Sequence, residues 1–227
     1  MKTIAFLFLI IFGIAGVCTK FLKLELYFNL FLALFIPLLA VYYSYNKKLK
    51  KLGIDKHIIF ALLTLYISDL LELGFFKDLQ IKDEIQISLH LIIQFLFLIV
   101  FRKEGAILVQ ESKIDVLKIF IPAGLVFLIF GYFVFEETKI LNYILLVLFA
   151  ILVVILLILS MFRPINNYSF YFGVSGTSML FLYGLFYFLF SSQNSIEQFY
   201  GISFGLYVFS QIFLFESFST NLKPKYE

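Results

Sequence analysis

Asp69, Glu72 and His90 each interrupt a long apolar run of this chain. An ionisable side chain at membrane depth is expensive, so it is kept where it has a task or a partner. Asp69 and Glu72 are three positions apart, the spacing that places two side chains on one helix face. Two carboxyls held close in a low dielectric do not both ionise cheaply. One is expected to retain its proton near neutral pH and to serve as a general acid. A histidine beside them would hold or relay a proton. The competing expectation is a polar cluster that only fastens helices together, or side chains that reach the outer interface. These three residues form the candidate catalytic set.

Tyr207, Gln211 and Ser175 form a second, substrate-binding set. Tyr207 and Gln211 are four apart and share a helix face. An unpaired amide near mid-membrane is costly, so Gln211 is expected to face the bundle interior, in a ligand contact or a structural hydrogen bond. Ser175 opens the small, hydroxylated stretch Ser175-Gly176-Thr177-Ser178, and Gly201 and Gly205 are a second small-residue pair. Close helix packing is the plainer expectation for both stretches. Glu216, near a helix end, is expected at the cytoplasmic interface.

These residues need elements to hold them, and the composition says what kind. Hydrophobic residues make up 62% of the 227 and charged residues 15%, against roughly 45–50% and about 25% in soluble domains. Lipid is the solvent that accommodates such a chain. A spanning helix takes about 20 mostly apolar residues. Eight runs qualify: Thr3–Cys18, Tyr27–Tyr45, His57–Phe76, Gln86–Phe101, Leu117–Phe135, Ile140–Phe162, Ser169–Phe190 and Gly201–Ser217. The runs are continuous and lack the in/out alternation of a transmembrane barrel. The expected fold is all-α, a polytopic membrane helix bundle of about eight spans, forming one integral membrane domain over 1–227. Helical rise puts Glu72 and His90 about 6 Å from one face of the membrane, Asp69 at about 10 Å and Gln211 at about 15 Å. A short connector makes the third and fourth spans neighbours, so Asp69, Glu72 and His90 are expected to line one pocket.

Of the 18 basic residues, Lys20, Lys23, Lys77, Lys82 and Lys139 fall on one side of these spans, and the other 13 fall on the N-terminal side. Positive charge marks the cytoplasmic side. The expectation is an inner (cytoplasmic) membrane protein with both termini in the cytoplasm. The N-terminal run reads as an uncleaved first helix, since no small-residue cleavage site follows it. The connector Arg102–Asp115 is the longest and has room for a short interfacial helix.

The same inventory excludes several functions. The basic residues form no face that would suit nucleic acid. Cys18 is the only cysteine, which rules out an intrachain disulfide and a cysteine-based metal site. There is no H-E-x-x-H, Walker loop, G-x-S-x-G or dinucleotide fingerprint. No metal or cofactor is expected.

Four further features, taken in order, resemble the YhhN family of lysoplasmalogenase-like membrane proteins. Ile36-Pro37-Leu38-Leu39 sits where that family has Lys-Pro-Leu. Ala61 to Leu71, with Ser68-Asp69-Leu70, resembles its Leu-rich stretch ending in Gly-Asp. His90 follows Asp69 by 21 positions, about the family spacing. Tyr207-Val208-Phe209-Ser210-Gln211 resembles its late Tyr-x-x-x-Gln. The resemblance runs over nearly the whole chain and implies an eight-helix fold. It also implies hydrolysis of the vinyl-ether bond of a lysoplasmalogen, with a membrane lipid as the partner and Asp69 as acid or base. Two departures bear on the activity. Ile36 replaces the motif lysine, and the family's second aspartate has no counterpart between Gly173 and Tyr187. Glu72 would have to stand in for that partner. The rival class is a non-catalytic membrane protein, a small-solute carrier or lipid-binding helper. A carrier would show broken helices and internal symmetry. Pro37 and Pro122 are the places for breaks, and no repeat is evident.

Overall fold

The computed structural model describes residues 2–46, 55–73, 81–108, 112–133, 140–191 and 197–220. Among these, the secondary structure is helical throughout. The helices are α1 (Lys2–Phe21), α2 (Glu25–Asn46), α3 (Asp55–Leu71), α4 (Lys82–Lys103), α5 (Lys113–Phe133), α6 (Ile140–Ser160), α7 (Asn167–Ser191) and α8 (Glu197–Thr220). Each overlaps one of the eight apolar runs. The basic loop Lys47 to Lys51 and the polar residues Ser192 to Asn194 lie outside the described residues.

Five helices are long and apolar enough to cross a membrane: Thr3–Phe21, Glu25–Asn46, Lys82–Lys103, Asn167–Phe186 and Gly201–Thr220. Ile144–Ser160 of α6 is a shorter apolar stretch. Large apolar side chains cover the outside as well as the core. Ile4, Phe8 and Ile11 of α1, and Phe120, Phe127 and Leu128 of α5, point outward. In water such a surface would aggregate. In a bilayer it is the solvated face, so the protein is a helical membrane bundle.

Helix pairs α1–α2, α2–α3, α3–α4, α4–α6, α6–α7, α7–α8 and α8–α1 are in contact, which closes a ring. Helix α5 lies outside the ring against α6. Helix α8 is the most buried of the five long apolar helices, and its inward face meets α4 across the core. The pairs His90–Tyr207, Phe97–Phe215 and Phe101–Phe218 have ring centroids 5.9, 6.0 and 5.8 Å apart. Their constant offset shows that α4 and α8 run parallel and in register. Phe35, Leu39, Leu65, Phe97, Phe101 and Phe215 anchor the main apolar core.

Pro37 and Pro122 both sit inside continuous helices, α2 and α5, so neither marks a break. A membrane helix tolerates proline where neighbouring groups satisfy the freed carbonyl. The connector after α4 carries no separate helix among its described residues. Gly105 takes the left-handed conformation (φ +89°), and Ala106 N–H donates to the Phe101 carbonyl at 3.0 Å. This glycine cap turns the chain back.

The turn tucks Glu104 inside the bundle, where Arg163 meets it. Arg163 Nε donates to Glu104 Oε2 at 2.7 Å, and Nη1 donates to Ser217 Oγ at 3.0 Å. The guanidinium also lies 4.4 Å from the Phe101 ring centroid. Both side chains are almost fully buried. Gly173 leaves the space for them. A Cβ at this position would lie 2.1 Å from Arg163 Nη1 and 2.9 Å from Ser217 Oγ. Gly173→Ala is therefore expected to destabilise the bundle by about 1–3 kcal/mol through overpacking. Gly124 provides the control, since a Cβ there meets nothing within 4 Å. Thermal unfolding in detergent should show a lowered midpoint for Gly173→Ala and none for Gly124→Ala. Equal midpoints would show that the ion pair does not depend on this gap.

Gly176 has a similar role between α7 and α8, where a Cβ would meet the Leu214 backbone nitrogen at 2.9 Å. Gly201 and Gly205 face Phe21 and Val17 of α1. Both small-residue stretches thus contain helix-packing contacts.

Candidate functional site

Near the C-terminal end of α3, Asp69 points into the bundle and is 5% exposed. The Tyr207 hydroxyl, reaching across from α8, donates to Asp69 Oδ1 at 2.7 Å. Asp69 Oδ2 is buried and has no protein partner. A carboxyl group needs several hydrogen bonds to be satisfied, so this oxygen is the open valence of the site.

His90, on α4, lies beside this pair. Its ring is nearly perpendicular to Tyr207 at 5.9 Å and to Phe149 at 6.3 Å, and Tyr183 is 6.1 Å away. His90 Nε2 is 3.4 Å from Ser68 Oγ. Ser68 stands at the position where the resembled motif has glycine, and here its hydroxyl is a neighbour of the histidine. The imidazole is thereby fixed among three aromatic rings on one side and α3 on the other.

Glu72 behaves differently. It follows α3 in a turn, with its N–H bonded to the Asp69 carbonyl at 3.1 Å. Gln86 Nε2 donates to Glu72 Oε1 at 2.7 Å and Lys82 Nζ to Oε2 at 3.4 Å. Its side chain is 38% exposed. Glu72 thus lies at the mouth of the site. The Glu72–Lys82 pair also ties α3 to α4.

The structure therefore brings Asp69, His90 and Tyr207 together and places Glu72 at their rim. Gln211, one turn along α8 from Tyr207, is buried as expected. Its Nε2 bonds Ser210 Oγ at 3.3 Å, while its Oε1 has no protein partner. Ser175 lies on the exposed surface of α7, because the neighbouring Gly176 and Thr177 occupy the face that packs inward. Thr177 bonds Ser160 Oγ at 2.9 Å. Ser175 takes no part in the cluster.

Glu216 lies one turn before the end of α8. It is 1% exposed and accepts hydrogen bonds from Tyr42, from Tyr168 at 3.0 Å and from Ser219 at 3.1 Å. It joins α2, α7 and α8 inside the bundle. Sequence reasoning missed Gln94, whose signal was an amide one helical turn after His90 in an apolar run. It also missed the Arg163–Glu104 pair. In the sequence Arg163 is one of the 13 basic residues on the N-terminal side, and nothing local joins it to a residue 59 positions away.

Two small cavities adjoin this cluster. One is lined by Gln86, Ile87, His90, Leu146, Phe149 and Tyr183. The other, among α5, α6 and α7, shares Leu146 and Phe149 with the first. Their linings are mostly apolar, with Gln86 and His90 the polar members of the first. Among the described residues, no three His, Cys, Asp or Glu side chains gather as a metal-ligand set.

Comparison with family models, curated proteins and solved structures returns no match for this chain.

Proposed function

We propose that this chain is a YhhN-like membrane hydrolase that cleaves the vinyl-ether bond of a lysoplasmalogen-type lipid. One observation carries the reading. Asp69 is a buried carboxyl whose Oδ1 is held by Tyr207 and whose Oδ2 faces the interior without a partner. A proton on Oδ2 is then available to a substrate atom, which is the arrangement a general acid needs. The apolar residues packed beside His90, among them Phe149 and Leu146, support an aliphatic substrate class.

The chemistry balances with one carboxyl and water. Asp69 gives its proton to the alkenyl carbon that does not bear oxygen, and the π pair forms the new C–H bond. The adjacent carbon becomes an oxocarbenium. Water adds to it, and the Asp69 carboxylate takes the water's proton. The resulting hemiacetal breaks its bond to the glycerol oxygen, which leaves as an alcohol, and a fatty aldehyde is released. Glu72, negative and at the mouth, favours the cationic intermediate and replaces the family's missing aspartate. His90 orients the Asp69 side of the pocket through Ser68.

The test is direct. The purified protein in detergent is given alkenyl and ester lysophospholipids, and aldehyde and fatty acid are followed. Aldehyde from the alkenyl lipid alone supports the reading. No release from any lipid would make a non-catalytic carrier or lipid-binding helper the better description.

We place the chain in a cytoplasmic membrane with both termini in the cytoplasm. The 13-to-5 split of basic residues supports this. A C-terminal fusion should be active with a cytoplasmic reporter and silent with a periplasmic one. The reverse pattern would overturn the orientation.

A further inference from the structure

Most hydroxyls within these helices bond back to their own backbone. Thr64 donates to Phe60 O at 2.9 Å, Ser88 to Glu84 O at 2.7 Å and Ser210 to Tyr207 O at 2.7 Å. This is the usual solution for a polar side chain in an apolar bundle. Gln94 and Gln211 do not follow it. Both are 1% exposed. Both polar atoms of Gln94 and the Oε1 of Gln211 lack a protein partner. An unmet buried amide costs several kcal/mol where no lipid group can bond it.

The two amides occupy one level of the molecule. On α4, Gln94 lies between His90 and Phe97, and on α8, Gln211 lies between Tyr207 and Phe215. The flanking pairs His90–Tyr207 and Phe97–Phe215 are 5.9 and 6.0 Å apart between centroids. The parallel register therefore puts Gln94 and Gln211 at the same level of α4 and α8. They lie one turn beyond Asp69, whose Oδ2 is also open. Phe97, Phe215 and Phe218 close the far side.

The geometry points to a bound-water site between Gln94 and Gln211 that supplies the nucleophile to the Asp69 pocket. The ligand class follows from the unmet atoms. Gln94 presents a donor and an acceptor, and Gln211 an acceptor. A metal cation would satisfy only the acceptors and leave the Gln94 N–H groups unmet. A ketone or ester oxygen would satisfy only the donor. Water satisfies both, and buried water typically makes about three such bonds. Its position also answers a need of the chemistry. The cavities beside His90 are mostly apolar, and a site one turn beyond Asp69 would hold a water on the inner side of the carboxyl. The site itself rests on the unmet atoms and the shared level of the two amides. Its use as the nucleophile rests on the proposed hydrolysis.

The experiment has two arms. The first is a structure of the wild-type chain in lipid nanodiscs at a resolution that shows ordered solvent. The expected result is a solvent peak about 2.7–3.2 Å from both Gln94 and Gln211, a hydrogen-bonding distance. A direct Gln94–Gln211 bond with no peak overturns the site. So does a peak at the shorter distances of a metal ion that appears only when sodium is present. The second arm is kinetic. Gln94→Leu and Gln211→Leu should lower kcat for aldehyde release by about tenfold or more while KM stays within about twofold, since the lost group acts in the reaction and not in lipid binding. Gln94→Asn, which keeps an amide, should lose less of the rate than Gln94→Leu. A solvent peak with unchanged kcat in the leucine variants would overturn the nucleophile role. If the wild type releases no aldehyde, the hydrolase reading fails and the first arm still decides the site.

Discussion

Asp69→Asn should reduce aldehyde release from an alkenyl lysophospholipid by about 10²-fold or more, the usual worth of a positioned general acid. The substitution is nearly isosteric, and the amide oxygen can still accept the Tyr207 hydrogen bond. What disappears is the proton that Oδ2 would carry. The loss should therefore appear in kcat, with KM and the thermal midpoint little changed. Tyr207→Phe makes a useful companion. It removes the hydrogen bond to Oδ1 but leaves the carboxyl, so its loss of rate should be smaller. Glu72→Gln should also cost less than Asp69→Asn, because Glu72 sits at the mouth in contact with Gln86 and Lys82. Equal rates for wild type and Asp69→Asn would remove Asp69 from the chemistry. A larger loss at Glu72 than at Asp69 would exchange their roles.

The second large effect concerns stability. Arg163→Met should destabilise the bundle by about 3–5 kcal/mol, because it leaves the Glu104 carboxylate inside without its cation. Glu104→Gln should be destabilising for the converse reason. The double variant Arg163→Met with Glu104→Leu should be more stable than either single one, since a buried ion pair is often replaceable by apolar side chains together but not one at a time. Unfolding in a detergent titration measures all four proteins and gives the coupling between the two sites. Additive losses would mean that Arg163 acts through its stacking on Phe101 and its bond to Ser217, rather than through Glu104. The pair joins α4, the segment after α6 and α8. Its loss should therefore loosen the register that holds His90 opposite Tyr207, and activity should fall with stability.

The helical architecture was legible before any coordinates. Apolar run length is measured against a fixed membrane thickness, so eight runs could be marked and each overlaps a helix. Asp69, His90 and Gln211 were legible for the same reason, because a polar group in such a run must turn inward or be neutralised. The expectation of a shared pocket for Asp69 and His90 followed from the connector between α3 and α4, and those two helices are indeed in contact.

What the chain could not announce is how each helix is rotated about its axis and what meets it. In water, a hydrophobic stripe marks the buried face. Here both the interior and the lipid are apolar, so Ser175 and Thr177 look alike in sequence, yet one faces outward and the other bonds Ser160. Tyr207 reaches Asp69 across 138 positions, and no local pattern joins them. Glu72 shares a helical spacing with Asp69, but α3 ends at Leu71 and the turn carries Glu72 to the rim. Glu216 and Arg163 stand near the ends of apolar runs, and packing buries both, Arg163 against Glu104. Hydropathy is a property of each segment against its solvent and can be read along one dimension. Partnership depends on close packing between segments far apart in the chain, so the tertiary structure alone decided it.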